Sequence, residues 1–210
     1  MNKILLLIAV AVGVTFTASA QITKGSSYLG GGINYGSSKT KTDNVGSYEQ
    51  TVLGVSPSIG FAYKENRVWG LGLNYNYYKL SGSNTKEHNY SAVVFLRQYK
   101  PLGKGFYVFA HEQLAGSYFK GQNINGNTSD YNGWGTTAGV SPGFAYDLSR
   151  KFQLELVLNN IAYASYNHRT ETPVSGTAKS VSNAFEINTG LNQLGRVGNL
   201  TIGACYVFGR

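Results

Sequence analysis

The last stretch of the chain, "NLTIGACYVFGR" (199–210), puts Leu200, Ile202, Ala204, Tyr206 and Phe208 at every second position. Thr201, Gly203 and Cys205, which alternate with them, are small or weakly polar. A period of two marks a strand with two unlike faces. The alternation recurs through 26–38, 51–63, 68–78, 134–146 and 151–160, and less regularly around 88–100, 105–120 and 181–194. In 51–63, Leu53, Val55, Ile59, Phe61 and Tyr63 oppose Gly54, Ser56, Ser58, Gly60 and Ala62. In 68–78, Trp69, Leu71, Leu73, Tyr75 and Tyr77 oppose Gly70, Gly72, Asn74 and Asn76.

The chemistry of the second face decides the architecture. A soluble sandwich or lipocalin-like barrel turns charged residues outward and large apolar ones inward. Here the face opposite the large residues is glycine, serine, alanine, threonine or asparagine. Small groups fit the inside of a narrow barrel, and large apolar groups fit lipid. Closure of the sheet satisfies every backbone group, as hydrocarbon demands. The pattern therefore predicts an all-β, antiparallel up-and-down transmembrane β-barrel. Composition agrees: 27 glycines, 16 tyrosines and 10 phenylalanines accompany only 4 prolines and 13% charged residues. Soluble domains carry about 25% charge.

Connections alternate in length. Tight links fall at 64–67, 101–104 and 147–150, and longer polar ones at 39–47, 82–87, 121–130 and 168–180. An outer-membrane barrel keeps short turns in the periplasm and long loops outside. "SPSIGFAYKENRVWGLGLNY" (56–75) is echoed by "SPGFAYDLSRKFQLELVL" (141–158), and Pro57 and Pro142 each require an unpaired or bulged site in the ladder. The alternating segments number nine, whereas single-chain bacterial barrels have an even count. Reading 181–208 as one long strand with a break near 191–199 gives eight strands; a true hairpin there gives ten. Eight is the expectation.

The first residues, "MNKILLLIAVAVGVTFTASAQ", carry Lys3, an apolar run and small residues Ala18 and Ala20 before Gln21. That is the layout of a secretory signal peptide, with 1–20 removed and 21–210 left as one barrel domain. Cys205 is the only cysteine, so no internal disulfide forms. No later run is apolar for long enough to make a membrane-spanning helix. The formal charge of +8 becomes +7 once Lys3 leaves. Lys64, Arg67, Lys100, Lys104, Arg150, Lys151 and Arg196 crowd the tight turns, where long basic side chains anchor to lipid headgroups. Nucleic acid is not an expected partner, since it needs a basic patch on a soluble surface.

The signal peptide, the "SPxxGFAY"-like strand exits, "VFLRQYKPLGKGFYVFAHE" (94–112) and the aromatic-rich last strand together resemble the small outer-membrane β-barrel proteins of Bacteroidetes. The resemblance covers nearly all of 21–210. It implies an eight-stranded barrel, mostly of unassigned activity, with an arginine before the central turn and a glutamate after it, matched here by Arg97 and Glu112. The closing strand also resembles the signal read by the barrel-assembly machinery, carried here by Leu200, Ile202, Tyr206 and Phe208. Tyr206 and Phe208 would join the periplasmic aromatic girdle.

An arginine on the lipid face near mid-membrane costs about 2–4 kcal/mol, so Arg97 should point inward and seek a carboxylate. Glu112 on the adjacent strand is the candidate partner, and Glu155 and Glu186, on the polar parity of their strands, would join the same lumenal network. Such a network either gates an ion path or plugs a narrow lumen, and plugging is the commoner use. One conflict is visible: an inward Glu112 puts His111 and Gln113 on lipid unless a bulge shifts the register.

His88, His111 and His168 are scattered. His111 and Glu112 are strand neighbours and point to opposite faces. His168, Glu171 and Ser175 could converge only within a long link. Neither a metal-spaced cluster nor a phosphate or dinucleotide fingerprint is present, so no cofactor and no catalysis are expected. The leading expectation is a monomeric outer-membrane barrel with a structural or surface-interaction role, in contact with outer-membrane lipid and lipopolysaccharide. Its lumen is filled by small side chains and a charged network. A small-solute, porin-like channel is the alternative. A soluble periplasmic barrel for a lipophile and an enzyme of outer-membrane lipid are more distant ones.

Overall fold

In the computed structural model the described residues are 22–42, 46–81, 85–123, 129–159, 161–173, 178–189 and 199–209. The signal-peptide reading, over 1–20, and most of the 191–199 break lie outside them. The strands are β1 (Ser27–Thr42), β2 (Gly46–Lys64), β3 (Arg67–Leu80), β4 (Thr85–Gly103) and β5 (Phe106–Asn123). They continue with β6 (Ser129–Asp147), β7 (Phe152–Leu158), β8 (Ala162–Pro173), β9 (Ser180–Thr189) and β10 (Leu200–Phe208). All pairings are antiparallel, and among the described residues there is no helix.

Each of β1 to β6 pairs with the next. β6 then pairs along one half with β7 (Gly143↔Val157) and along the other with β8 (Val140↔Ala162). β7 ends at Leu158 and β8 begins at Ala162, and the two share one wall position. β9 pairs with β8, and β10 pairs with β7 and with β1, so β9 and β10 share the next position. The Ser27↔Phe208 to Ile33↔Ile202 ladder closes the ring. Ten strand segments make an eight-position closed barrel. The sequence reading misses β8, because "SYNHRTETP" reads partly as loop; its residues alternate polar with polar, and only pairing reveals the strand. Among the described residues, β9 pairs with β8 alone.

The short links lie at one end, and two of them use left-handed backbone. Asn66 has φ 58° in the β2–β3 turn, while Gly103, Lys104 and Gly105 carry φ of 97°, 50° and 80° in the β4–β5 turn. Asparagine and glycine tolerate this region at little cost. Pro57 interrupts the β2–β3 ladder as its missing amide requires: partners are assigned at Val55↔Tyr75 and Ser58↔Gly72, with none between.

The outer wall is apolar. Leu29, Ile33, Leu53, Ile59, Leu71 and Leu73 all stand exposed on it. Two aromatic rows bound this band. Tyr75, Tyr90, Tyr118 and Trp134 are direct cross-strand neighbours in one row. The pairs Phe61↔Trp69, Phe106↔Tyr146 and Phe152↔Tyr206 lie toward the tight turns. Tyr206 and Phe208 face outward with ring centroids 4.6 Å apart. Phe106 and Tyr118 of β5 are twelve positions apart, about 40 Å along a strand. At the usual tilt of roughly 40° this is about 30 Å of height, close to the apolar band of a membrane barrel.

Inside, the half near the tight turns is packed with large residues, which corrects the expectation of a lumen filled mainly by small side chains. Tyr28, Phe95, Tyr99, Tyr107 and Phe109 are all buried there. Glycines make the room: a Cβ added at Gly70 would meet the Phe95 ring and the Ile59 carbonyl, and one at Gly143 would meet the Phe109 ring. Each ring thus lies over a glycine directly opposite it on the neighbouring strand, Phe95 over Gly70 and Phe109 over Gly143. Gly70→Val should destabilise the folded barrel by about 1–3 kcal/mol through overpacking. Urea titration in detergent, followed by heat-modifiable gel migration, measures this.

Candidate functional site: a plugged lumen

The strand parity that sends Val94 and Leu96 outward sends Val93, Phe95, Arg97 and Tyr99 inward. Arg97 is 7% exposed and Glu155, on β7, is 5% exposed. Arg97 Nη1 lies 2.8 Å from both Glu155 Oε1 and Oε2. The Tyr99 hydroxyl donates to Oε1 at 3.1 Å and the Tyr28 hydroxyl to Oε2 at 2.8 Å. Arg97 Nη1 also contacts the Tyr28 oxygen. The guanidinium carbon sits 5.1 Å from the Tyr28 and Phe95 ring centres and 5.2 Å from that of Phe109. A buried carboxylate needs its lone pairs filled and a buried cation needs a counter-charge; one cluster supplies both. It spans the lumen from β1 through β4 to β7.

Arg97 Nε donates to His111 Nδ1 at 2.9 Å. A guanidinium only donates, so Nδ1 accepts and the imidazole proton resides on Nε2. A second polar layer lies nearer the tight turns: Gln153 Nε2 donates to Asp147 Oδ1 at 2.9 Å, and the Tyr107 hydroxyl donates to Asp147 Oδ2 at 3.0 Å.

Two of the four expected lumenal charges are in the plug and two are not. Glu112 is on the outer wall. β5 keeps a regular register, Arg97↔His111 and Leu96↔Glu112, so no bulge rescues the inward placement. His111 and Gln113 are the inward pair. The Glu112 carboxylate accepts from Gln98 Nε2 at 2.9 Å, which gives it a partner on the apolar wall. Proximity to the 101–104 turn suggests Glu112 as Arg97's counter-ion, but face parity excludes it, and the true partner is 58 positions away. Glu186 shares lumenal parity, yet β9 is exposed on both faces, and the carboxylate instead accepts from the Tyr163 hydroxyl at 2.7 Å. Of the closing-strand residues, Leu200, Ile202, Tyr206 and Phe208 all face outward.

A third charged group, absent from the sequence reading, lines one side of the lumen farther from the tight turns. Tyr131 donates to Glu87 Oε2 at 2.9 Å, and the Arg169 guanidinium lies 3.7 Å from the Tyr131 ring centre. Arg169 Nη2 is 3.2 Å from Glu171 Oε2, whose other oxygen accepts from Ser129. Glu87, Tyr131 and Glu171 are direct neighbours through Gly121. Their inward parity is the available signal, obscured because 82–87 and 168–180 read as loops.

The histidines do not converge. His88 contacts the Tyr75 hydroxyl at 2.9 Å, and His168 contacts Asn183 Oδ1 at 2.8 Å. His168 stacks on outward Trp134, whereas Glu171 points inward; Ser175 lies outside the described residues.

No protein-family profile matches the chain, and no curated protein matches it in sequence. Solved structures similar to it include a major outer membrane protein from Thermus thermophilus, at 13% identity and TM-score 0.47, covering 88% of this chain and 99% of that one. Neisserial surface protein A is another, at 14% identity and TM-score 0.44, covering 87% and 97%. The translocator domain of the autotransporter NalP from Neisseria meningitidis matches at 10% identity and TM-score 0.44, over 98% and 93%. The barrel assignment stands on the chain's own strand pairing.

Glu155→Leu leaves Arg97 buried without its counter-charge and should cost about 3–5 kcal/mol. The double variant Arg97→Met with Glu155→Leu should recover much of that loss. Glu112→Gln, on the outer wall, should stay within about 0.5 kcal/mol of the parent. Urea midpoints of the four proteins in one detergent check all three expectations.

Proposed function

We propose that the chain is an integral outer-membrane β-barrel protein that does not conduct, and that it acts as a structural or surface-interacting element. The observation that carries this reading is the Arg97–Glu155–Tyr28–Tyr99 cluster, which fills the lumen between the tight turns and the rest of the barrel. The outward apolar band and its two aromatic rows support insertion in a bilayer, as does a closed ring with no free edge in its lower half. The tight turns face the periplasm and the long links face outward. Export by a cleaved signal peptide at 1–20, a monomeric state, and contact with outer-membrane lipid and lipopolysaccharide belong to this reading. So does kinship with the small barrels of Bacteroidetes. Leu200, Ile202, Tyr206 and Phe208 form an outward stripe suited to the barrel-assembly machinery. No enzymatic role is part of it.

A channel is the second reading, and one observation favours it: a cavity reaches down from the long-link side as far as Arg97. A soluble carrier of a lipophile fits poorly, since that cavity is walled largely by amides and hydroxyls while the apolar residues face outward.

Planar-bilayer recording on the chain refolded in detergent tests the proposal. The parent should show no discrete current steps. The Arg97→Met, Glu155→Leu double variant should also stay silent, because the aromatic packing of Phe95, Phe109 and Tyr107 remains. Reproducible unitary steps from the parent would replace the plugged barrel by a pore.

A further inference from the structure

Above the plug lies a cavity of about 350 Å³, and the chemistry of its floor and walls points to a ligand. Its floor is Arg97 and His111. Both oxygens of Glu155 are occupied by Arg97, Tyr28 and Tyr99, so this carboxylate presents no free acceptor to the space. Nη1 and Nε of Arg97 are committed to Glu155, the two tyrosines and His111. Nη2 has no hydrogen-bond partner among the described residues, though the side chain is only 8% exposed and borders the cavity. His111 has its Nδ1 occupied by Arg97 and its proton on Nε2, whose hydrogen bond the Gln113 side chain accepts. The floor therefore offers Arg97 Nη2 as an open donor and no carboxylate acceptor.

The walls continue the theme. Asn34, Asn74, Asn76 and Gln113 supply amides, and Ser56 and Ser58 supply hydroxyls. No aspartate, glutamate or lysine among the described residues lines the space. Asn34 and Asn76 flank Gly54, whose missing side chain leaves their amides room to turn toward the lumen. Farther out, the Glu171 charge at the mouth is balanced by Arg169 at 3.2 Å, and the Glu87 carboxylate accepts from Tyr131.

We infer that this chamber binds a small polar solute bearing an oxyanion, with its carboxylate or equivalent group on the Arg97–His111 floor and its hydroxyls on the asparagine and serine walls. The plug then serves as the base of a dead-end receptor site open toward the long links. This goes beyond the structural role proposed above: a barrel that never conducts can still take up such a solute, and one that conducts can fail to.

The test is calorimetric titration of the full chain, refolded in zwitterionic detergent, with sodium gluconate. Sorbitol, which has a similar six-carbon polyol body without the carboxylate, is the comparison. Gluconate should bind saturably and sorbitol at least about tenfold more weakly. Asn74→Asp, near-isosteric and away from the plug, should weaken gluconate by about tenfold or more by placing a like charge in the chamber, with heat-modifiable migration unchanged. If that variant does not fold, Gln113→Glu serves the same purpose. Equal binding of sorbitol and gluconate would overturn the oxyanion assignment. Gluconate binding indifferent to both substitutions would overturn the location, and absence of saturable binding would overturn the site.

Discussion

The ladder between β1 and β10 is the constraint on which the rest depends. Ser27 to Ile33 pair with Phe208 to Ile202, so the two ends of the described chain complete the ring. Without that pairing two edges carry rows of unsatisfied amides and carbonyls, each costing about 2–7 kcal/mol in hydrocarbon. Closure is what permits the outer face to be predominantly apolar. It also obliges the inner face to be filled by whatever eight narrow strands can hold.

That filling is uneven, and the unevenness has a physical cause. Near the tight turns, aromatic rings from β1, β4 and β5 lie over glycines on the strands beside them and pack together in the lumen. A cation can be buried here only if its charge and its hydrogen bonds are met together, and Glu155 with two tyrosine hydroxyls does so around Arg97. Toward the long links the inward residues of β1, β2, β3 and β10 shorten to asparagine, serine and threonine, and the same wall spacing leaves an open chamber. Plug and chamber are thus two outcomes of one geometry with different side-chain volumes.

Parity was the strongest signal in the sequence, and the structure bears it out on β1, β2, β3, β6, β7 and β10. It also held where the expected salt bridge argued against it. On β5, pairing Arg97 with a nearby carboxylate pulls Glu112 inward, at the cost of placing His111 and Gln113 on lipid. The regular register resolves this in favour of parity: His111 takes the inward place beside Arg97, and Glu112 turns out to Gln98. β8 escaped notice because its alternation lacks an apolar face, so hydrophobic period carried no information about it.

The sequence by itself determined which residues face in and which face out, because a strand's side chains alternate whatever surrounds them, and the outward set is apolar enough to require lipid or an equivalent cover. It also pointed to Arg97 being inside, since an arginine on the lipid face near mid-membrane costs about 2–4 kcal/mol. Only the tertiary structure decided that its partner is Glu155 and not Glu112, that Glu87, Arg169 and Glu171 gather around Tyr131, and that His111 lies against the guanidinium. The Arg97–Glu155 and Glu87–Tyr131 contacts lie 58 and 44 positions apart in the chain, and the stagger at which the barrel closes, a property of all eight wall positions together, sets which inward side chains meet at one height.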